Sequence, residues 1–540
     1  MAAATAAPWS PRFLEDIPAH WAQSCPDATV LSDGSRRFTW SAFEAARREC
    51  AGRLAALGVR PGDRVMVVGE NSPELVVLLF AITGLRAWVV NVNARLSARE
   101  VDAIRAHCTP RRVLHLVDAS NDAREHAARE PVEAFAPGPW GAIAVAACDP
   151  DTRPEPASGD AASDVAALLY TTGTTGEPKG VMLTHANLLF IARTSSRLRR
   201  VTPADHVLGL LPISHVYGLA SVCLGTLCAG ASLHLVARFA PAATARFLRD
   251  EAITVCQGVP AMYAKLLQHY AAEGRTGPDL PALRFIYAGG SPLPPPLKAQ
   301  AEAFFGLTLH NGYGLTEASP TVTQTRVDEP RRDCSVGRVL PGVEVRIVDA
   351  SGEDVSAGAP GELWVRGPNV MKGYYRDPAA TAATMRAGGW LATGDIAREE
   401  ADGALFIEGR VKELIIRSGF NVYPAEVEAV LNAHPEVTQS AVVGREREGE
   451  EEVIAFVELA HGARATPAEL VAFAARSLAP YKRPHEVIVL AALPAAANGK
   501  VLKGRLREMA RHFTGASSPA TGSAPTSPLI SPPSWTSILP

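Results

Sequence analysis

The chain has 540 residues, too many for one hydrophobic core, so two or more domains are expected. Its formal net charge is −3 and 20% of its residues are charged. That balance excludes a global basic field for nucleic acid and an acidic, solvating composition. The eight cysteines are scattered without C-x-x-C spacing, so neither a zinc nor a dithiol site is expected and a reducing compartment fits.

In chain order, residues 1–11 are small and Ala-rich, and no signal peptide is read there. A helical pattern over 43–57 stops at Gly58, and 65–68 is a candidate buried strand. Asn71, Ser72, Pro73 and Glu74 then cap a helix carrying Leu75, Leu78, Leu79 and Ile82, and 87–90 is another strand. Strand, helix, strand at this spacing predicts a parallel α/β layer. The most apolar run, 75–90, is broken by Gly84 and Arg86. It falls short of the ~20 residues that span a bilayer, so a soluble, cytoplasmic protein without a transmembrane segment is expected. Residues 149–163, rich in Pro, Asp and Ala, read as a linker.

The linker leads into Tyr170, Thr171, Thr172, Gly173, Thr174, Thr175, Gly176, Glu177, Pro178, Lys179 and Gly180. Glycines let backbone N–H groups approach an anion, threonine hydroxyls add donors, and Lys179 adds a point charge. A phosphate cradle is therefore expected. It is not the Walker loop: counting from Gly173 or Gly176, the second glycine would fall on Pro178 or Val181. Thr184, His185, Ala186 and Asn187 open the next helical pattern.

Strand and helix alternate again from His206. Ile213 to Gly218 is a loop before an apolar helix, and 255–259 is a strand before a helix starting at Pro260. Residues 285–288 form a strand running into the turn Gly289, Gly290, Ser291. Residues 308–313 form another, ending in Asn311-Gly312-Tyr313-Gly314-Leu315-Thr316-Glu317. Beyond Gly337, stretches 343–348, 361–365 and 403–407 alternate in the manner of antiparallel sheet. Gly389-Trp390-Leu391-Ala392-Thr393-Gly394-Asp395 and Gly409-Arg410-Val411-Lys412 follow. A small α+β module comes next, with helices at 424–433 and 467–478 and strands at 440–444 and 453–459. After Arg511 the composition is Ser/Pro/Thr/Ala-rich and disorder is expected.

Five ordered motifs, the last being Asn498-Gly499-Lys500-Val501-Leu502-Lys503, together resemble the adenylate-forming (AMP-binding) superfamily. That group contains acyl-CoA synthetases, luciferases and peptide-synthetase adenylation domains. The resemblance implies an α/β fold, with a large N-terminal domain of layered α/β subdomains plus a β-rich subdomain over 1–409. A small mobile α+β domain would follow over 410–512, and a disordered tail over 513–540. It further implies an AMP-forming acid–thiol ligase using ATP, Mg2+ and coenzyme A. Thr171, Thr172, Gly173, Thr174, Thr175, Gly176 and Lys179 would hold the β,γ-phosphates. Tyr313 would stack on adenine, with Asn311, Gly312, Gly314, Gly289, Gly290 and Ser291 around the nucleotide. Thr316 would contact the α-phosphate, and Glu317 would coordinate Mg2+. Asp395 and Arg410 would hold the ribose, Lys412 would be the hinge, Gly419 would line the pantetheine tunnel, and Lys500 would drive adenylation.

Amino-acid-activating relatives place an aspartate where this chain has His215-Val216-Tyr217-Gly218, so amino-acid activation is disfavoured. His215 would gate the acyl pocket. Tyr217, Gly218, Gly290, Ser291, Pro320 and Thr321 suggest an apolar slot. A dicarboxylate would want an arginine there, and none is evident. A medium- or long-chain fatty acid is the first expectation, with Gly218 opening space for its chain. An aryl or 4-coumarate-like acid flanked by Tyr217 is the alternative. Transfer to a carrier-protein phosphopantetheine, or assembly as a homodimer, are further options. So is a non-catalytic nucleotide-binding protein, because Pro494, Ala495, Ala496 and Ala497 replace the family's usual basic and hydroxyl residues before Lys500.

Overall fold

The computed structural model describes residues 9–135, 140–172, 178–417, 420–447, 450–460, 462–495 and 501–512. Helix Pro73–Gly84 shows how its centre is built. The Ser72 side chain accepts the Leu75 N–H, and Pro73 sits in the first turn, where no N–H is needed. The helix is apolar on every side and buried from Pro73 through Thr83, so it needs core all round. One sheet supplies Val65, Val67 and Val89 to that core and a second supplies Val207, Leu233 and Phe285. Each such side chain contributes ~1.5–3 kcal/mol of burial.

The first sheet runs, in spatial order, Gly373–Tyr374, Pro178–Thr184, Val165–Thr172, Trp88–Asn93, Arg64–Gly69, Arg112–His115, Ile143–Ala146, Val132–Phe135. Arg64–Gly69 pairs in parallel with both its neighbours, as the strand–helix–strand spacing predicts. The second sheet runs Arg338–Val339, Thr321–Gln324, Leu309–Gly314, Phe285–Ala288, Val255–Gly258, His206–Gly209, Ser232–Leu235, Thr29–Ser32, Arg37–Thr39. Its middle strands are parallel. Helices Pro241–Asp250, Pro260–Ala272 and Pro295–Phe305 cover its outer face, and Ala98–Cys108 covers the outer face of the first sheet. The result is a layered α/β body with the buried helices sandwiched between two sheets.

Two expectations are corrected. Segment 149–163 is coil but is tied to the body. Arg111 donates to the Asp149 carbonyl at 2.5 Å, Arg64 donates to the Arg153 carbonyl at 2.7 Å, and the Glu155 N–H donates to the Gly62 carbonyl at 2.9 Å. The approach is so close that a Cβ on Gly62 (φ +80°) would lie 1.8 Å from the Glu155 oxygen. The apolar helix after Gly218 begins as a wide π-helix, Tyr217–Leu224, and only then becomes Gly225–Cys228 in α form. Such wide turns concentrate at functional sites.

The antiparallel third sheet contains Glu344–Val348, Gly361–Arg366, Trp390–Glu399, Met385–Arg386 and Leu405–Arg410. The stretch ending in Asp395 thus forms the first part of a ten-residue strand, Trp390–Glu399. Beyond it, strands Val437–Arg447, Glu450–Leu459 and Glu486–Leu490 carry helices Pro424–Asn432, Pro467–Ala475 and Lys503–His512 in a small C-terminal unit with cores of its own. Among the described residues, no helix is long and apolar enough to cross a membrane.

Candidate active site

The expected phosphate loop tips a hairpin. Val165–Thr172 and Pro178–Thr184 pair antiparallel, with Thr171 opposite Lys179 and Thr172 opposite Pro178. Gly173, Thr174, Thr175 and Gly176 lie outside the described residues. Beyond the hairpin, Thr184 and Asn187 form a reciprocal capping box that starts helix His185–Leu198. The second strand of the hairpin thus runs directly into that capped helix.

Short strand Gly373–Tyr374 pairs with the same hairpin. That register sets the Tyr374 ring 5.1 Å from Lys179 Nζ, and the Tyr374 hydroxyl donates to Glu317 Oε1 at 2.8 Å. Burial, with the Glu317 charge adding, pushes the Tyr374 hydroxyl well above the usual phenol range, so it stays a donor. Thr316 is buried and Glu317 half-buried at the head of the 3-10 turn Thr316–Ala318.

Asp395 and Arg410 face each other across neighbouring strands. Arg410 Nε lies 2.9 Å from Asp395 Oδ1, and the Tyr313 hydroxyl donates to Oδ2 at 2.5 Å. The Asp395 charge holds the Arg410 guanidinium above its ordinary value. Burial and then Asp395 push the Tyr313 hydroxyl well above its own. Lys179, Tyr374, Glu317, Tyr313, Asp395 and Arg410 thus form one polar face drawn from both body sheets and the third sheet.

Several expected residues turn out to serve the chain itself. Asn311 Nδ2 donates to the Cys334 and Ser335 carbonyls, and its Oδ1 accepts the Gly312 N–H, so it fixes the turn. A Cβ on Gly312 would lie 1.8 Å from the Tyr287 hydroxyl, and one on Gly314 would lie 1.9 Å from the Pro320 oxygen. These two glycines are required by close approach within the protein. A Cβ on Gly218 would meet the Pro212 and Leu211 carbonyl oxygens at 2.1 and 2.6 Å. Gly218 is therefore required by the close approach of the chain's own backbone. His215 is exposed on the loop before the wide helix.

Gly289 is buried at a strand end, while Gly290 (φ +82°) turns the chain and Ser291 is exposed. Beneath Gly289, Tyr217 and Tyr287 meet edge to face at 6.2 Å, and a Cβ on Gly289 would touch both rings at 3.3 Å. Behind Tyr287 lies a residue that the motifs did not reveal, Arg199, which is 1% exposed with its guanidinium 4.5 Å from the Tyr287 ring. Arg199 reads in sequence as an ordinary basic helix end, and only the sheet packing buries it. Tyr374 was also missed. The doublet Tyr374-Tyr375 after Gly373 was its only signal.

Exposed Lys412 sits in the 3-10 turn Val411–Glu413 between the third sheet and the small unit. Lys500 and Gly419 lie outside the described residues. Their surroundings are described: Val501 bridges Ala495, and hairpin strands Ile415–Arg417 and Phe420–Val422 flank residue 419.

The donor set suits the expected ligands. A single half-buried carboxylate, with no cluster of three or more His, Cys, Asp or Glu among the described residues, suits Mg2+, which keeps waters and leans on phosphate oxygens. A carboxylate can accept about four hydrogen bonds, so one held by Tyr313 and Arg410 can still take ribose hydroxyls.

Family models agree with this geometry. Residues 18–375 match the AMP-binding enzyme model and residues 426–500 match the AMP-binding enzyme C-terminal domain. The chain is 36% identical to a feruloyl-CoA synthase from Amycolatopsis sp over 92% of this chain and 98% of that one. It is 34% identical to the indoleacetate–CoA ligase of Aromatoleum aromaticum over 91% and 96%. The crystal structure of ATP-bound MatB from Rhodopseudomonas palustris superposes with a TM-score of 0.79 at 30% identity, covering 92% of this chain and 98% of that one.

Proposed function

We propose, on the premise that this chain belongs to the AMP-binding enzyme family and is an acid–thiol ligase using ATP, Mg2+ and coenzyme A, that its acid is an aromatic one. The observation that carries this reading is the edge-to-face Tyr217–Tyr287 pair beneath Gly289, an aromatic wall against which a substrate ring would pack. Relatives named for feruloyl and indoleacetate substrates favour it too.

In this mechanism the acid's carboxylate oxygen attacks the α-phosphorus of ATP. The bond to the β-phosphate oxygen breaks, and pyrophosphate leaves. Thr171, Lys179 and the loop between them hold the departing phosphates. Thr316 and Lys500 stabilise charge at the reacting phosphate. Bound at Glu317, Mg2+ supplies neutralising charge for the phosphate oxygens. Asp395 and Arg410 fix the ribose, and Tyr313 backs the adenine. The unit over 410–512 then turns about Lys412, withdrawing Lys500 and presenting Gly419. The CoA thiolate attacks the acyl carbon, and AMP leaves.

The test is pyrophosphate release across aryl and fatty acids, with product analysis using CoA or a phosphopantetheine carrier. Aryl acids with CoA should give AMP, pyrophosphate and thioester. Lys500→Ala should form no acyl-adenylate. Adenylate formation at the wild-type rate in that variant would remove Lys500 from the mechanism. ATP binding without pyrophosphate release for any acid would identify a non-catalytic nucleotide-binding protein.

A further inference from the structure

Behind the Tyr217–Tyr287 pair lies a buried cation that the chain leaves without an anion. Arg199 follows helix His185–Leu198 and is 1% exposed. A guanidinium stays charged inside proteins. Its Nη1 donates to Gln257 Oε1 at 2.7 Å and to the Ser221 carbonyl at 3.3 Å. Its Nε and Nη2 meet no acceptor. None of the ion pairs within 4.0 Å among the described residues includes it.

The groups around it come from four elements. Tyr287 and Gln257 stand on neighbouring parallel strands, Tyr217 and Ser221 on the wide helix, and His310 on the strand beyond. None is acidic. Burial raises the Tyr217 and Tyr287 hydroxyls, with the Arg199 charge opposing, so both stay neutral. Burial, then Lys298 and Arg199, brings His310 down to about 4, so it is neutral too. The Tyr217 hydroxyl, like two of the Arg199 nitrogens, has no partner. A buried cation without an anion costs several kcal/mol, offset in part by the Tyr287 ring 4.5 Å from the guanidinium.

We propose that Arg199 is a specificity-determining residue, receiving an oxygen acceptor, anionic above all, at the end of the acid remote from the activated carboxylate. The Tyr217 hydroxyl is its second donor. Gln257 and the Ser221 carbonyl hold one edge of the guanidinium so that Nε and Nη2 face the ligand. This assignment rests on the reading that the acid packs against the Tyr217–Tyr287 pair beneath Gly289. It separates the acid's two ends: Lys500 serves the reacting end, and Arg199 selects the far one.

The test is a matched series, 3-phenylpropenoate and its 4-hydroxy and 4-carboxy forms, followed by pyrophosphate release with wild type, Arg199→Met and Arg199→Lys. Wild type should prefer an oxygen-bearing acid by about 100-fold or more in kcat/KM, since a site built for a polar group rejects the analogue lacking it. The 4-carboxy acid leading indicates an anionic partner, and the 4-hydroxy acid leading indicates a phenol. Either supports the assignment. Arg199→Met should bring the ratio to within about threefold of unity, and Arg199→Lys should fall between. Because the ratio is taken within one preparation, partial loss of folded enzyme cancels. An unsubstituted acid equal to the others in wild type, or an unchanged ratio in Arg199→Met, overturns the assignment. If no acid releases pyrophosphate, the ligase reading fails separately. The same acids are then ranked by thermal shift on ATP-loaded protein, where equal shifts in wild type and Arg199→Met overturn the role of Arg199.

Discussion

At the residue scale, the polar face depends on pairs that no single motif shows. Asp395 is legible as a carboxylate in a Thr-Gly-Asp stretch, and Arg410 as a basic residue fifteen positions on. Their cross-strand register makes them partners, and the Tyr313 hydroxyl joins from another sheet. Asp395→Asn keeps an acceptor but removes the charge that holds Arg410. It should raise the KM for ATP by about 10- to 100-fold, the scale of a hydrogen bond to a charged group. The KM for the acid should stay near wild type. Steady-state titration of each substrate separates the two, and an unchanged ATP KM would take Asp395 out of the ribose site. Residue chemistry was thus readable where a motif carried it. It was unreadable at Arg199 and Tyr374, whose roles come only from what the fold sets beside them.

At the element scale, the sequence reading followed periodicity well. The strand–helix–strand opening, the capped helix after Ser72 and the antiparallel third sheet all stand in the structure. Periodicity could not reveal that the helix from Tyr217 is wide, or that the coil over 149–163 is bound to the body, because both depend on backbone contacts with distant strands. One element-level link bears on movement. Lys503 opens the last described helix, three residues beyond Lys500, and its ammonium meets Glu413 at 2.9 Å and Glu428 at 2.8 Å. Burial opposes the charge, yet Glu428 and Glu413 together hold the Lys503 amine above its ordinary value. Glu413 directly follows the hinge candidate Lys412. This cluster ties the C-terminal side of the turn to the small unit, and Arg507 of the same helix donates to the Lys412 carbonyl at 3.4 Å. Glu413→Gln should loosen this tie by about 1.5 kcal/mol, slowing turnover roughly tenfold with ATP and acid KM unchanged. Single-turnover rates of adenylate and thioester formation check it. If both rates match wild type, the tie has no part in the movement.

At the scale of the whole molecule, buried neutral histidines tie distant segments together. His185 heads the helix that follows the phosphate hairpin, and its Nδ1 accepts the Leu14 N–H at 3.3 Å while Phe13 meets its ring edge-on at 5.2 Å. The N-terminal segment is thus pinned to the element that supports the phosphate loop. Burial, with the Arg86 charge adding and Asp164 opposing, brings His185 down to about 3, and burial brings His234 to about 4. An unfolded histidine titrates near ~6.5, so between that value and the folded one the unfolded chain binds the extra proton. Stability is then lost as pH falls from ~6.5 towards 4 and is insensitive to these groups above ~6.5. His234 alone would cost roughly 3 kcal/mol by pH 4, at ~1.4 kcal/mol per unit. Protonating Nδ1 of His185 would also break the bond to Leu14. His185→Asn offers an oxygen that can accept that N–H and does not titrate. Urea midpoints measured from pH 7.5 to 4.5 should fall steeply below pH ~6.5 in wild type and less steeply in this variant. Parallel curves for the two proteins would mean that His185 is not held neutral by the fold.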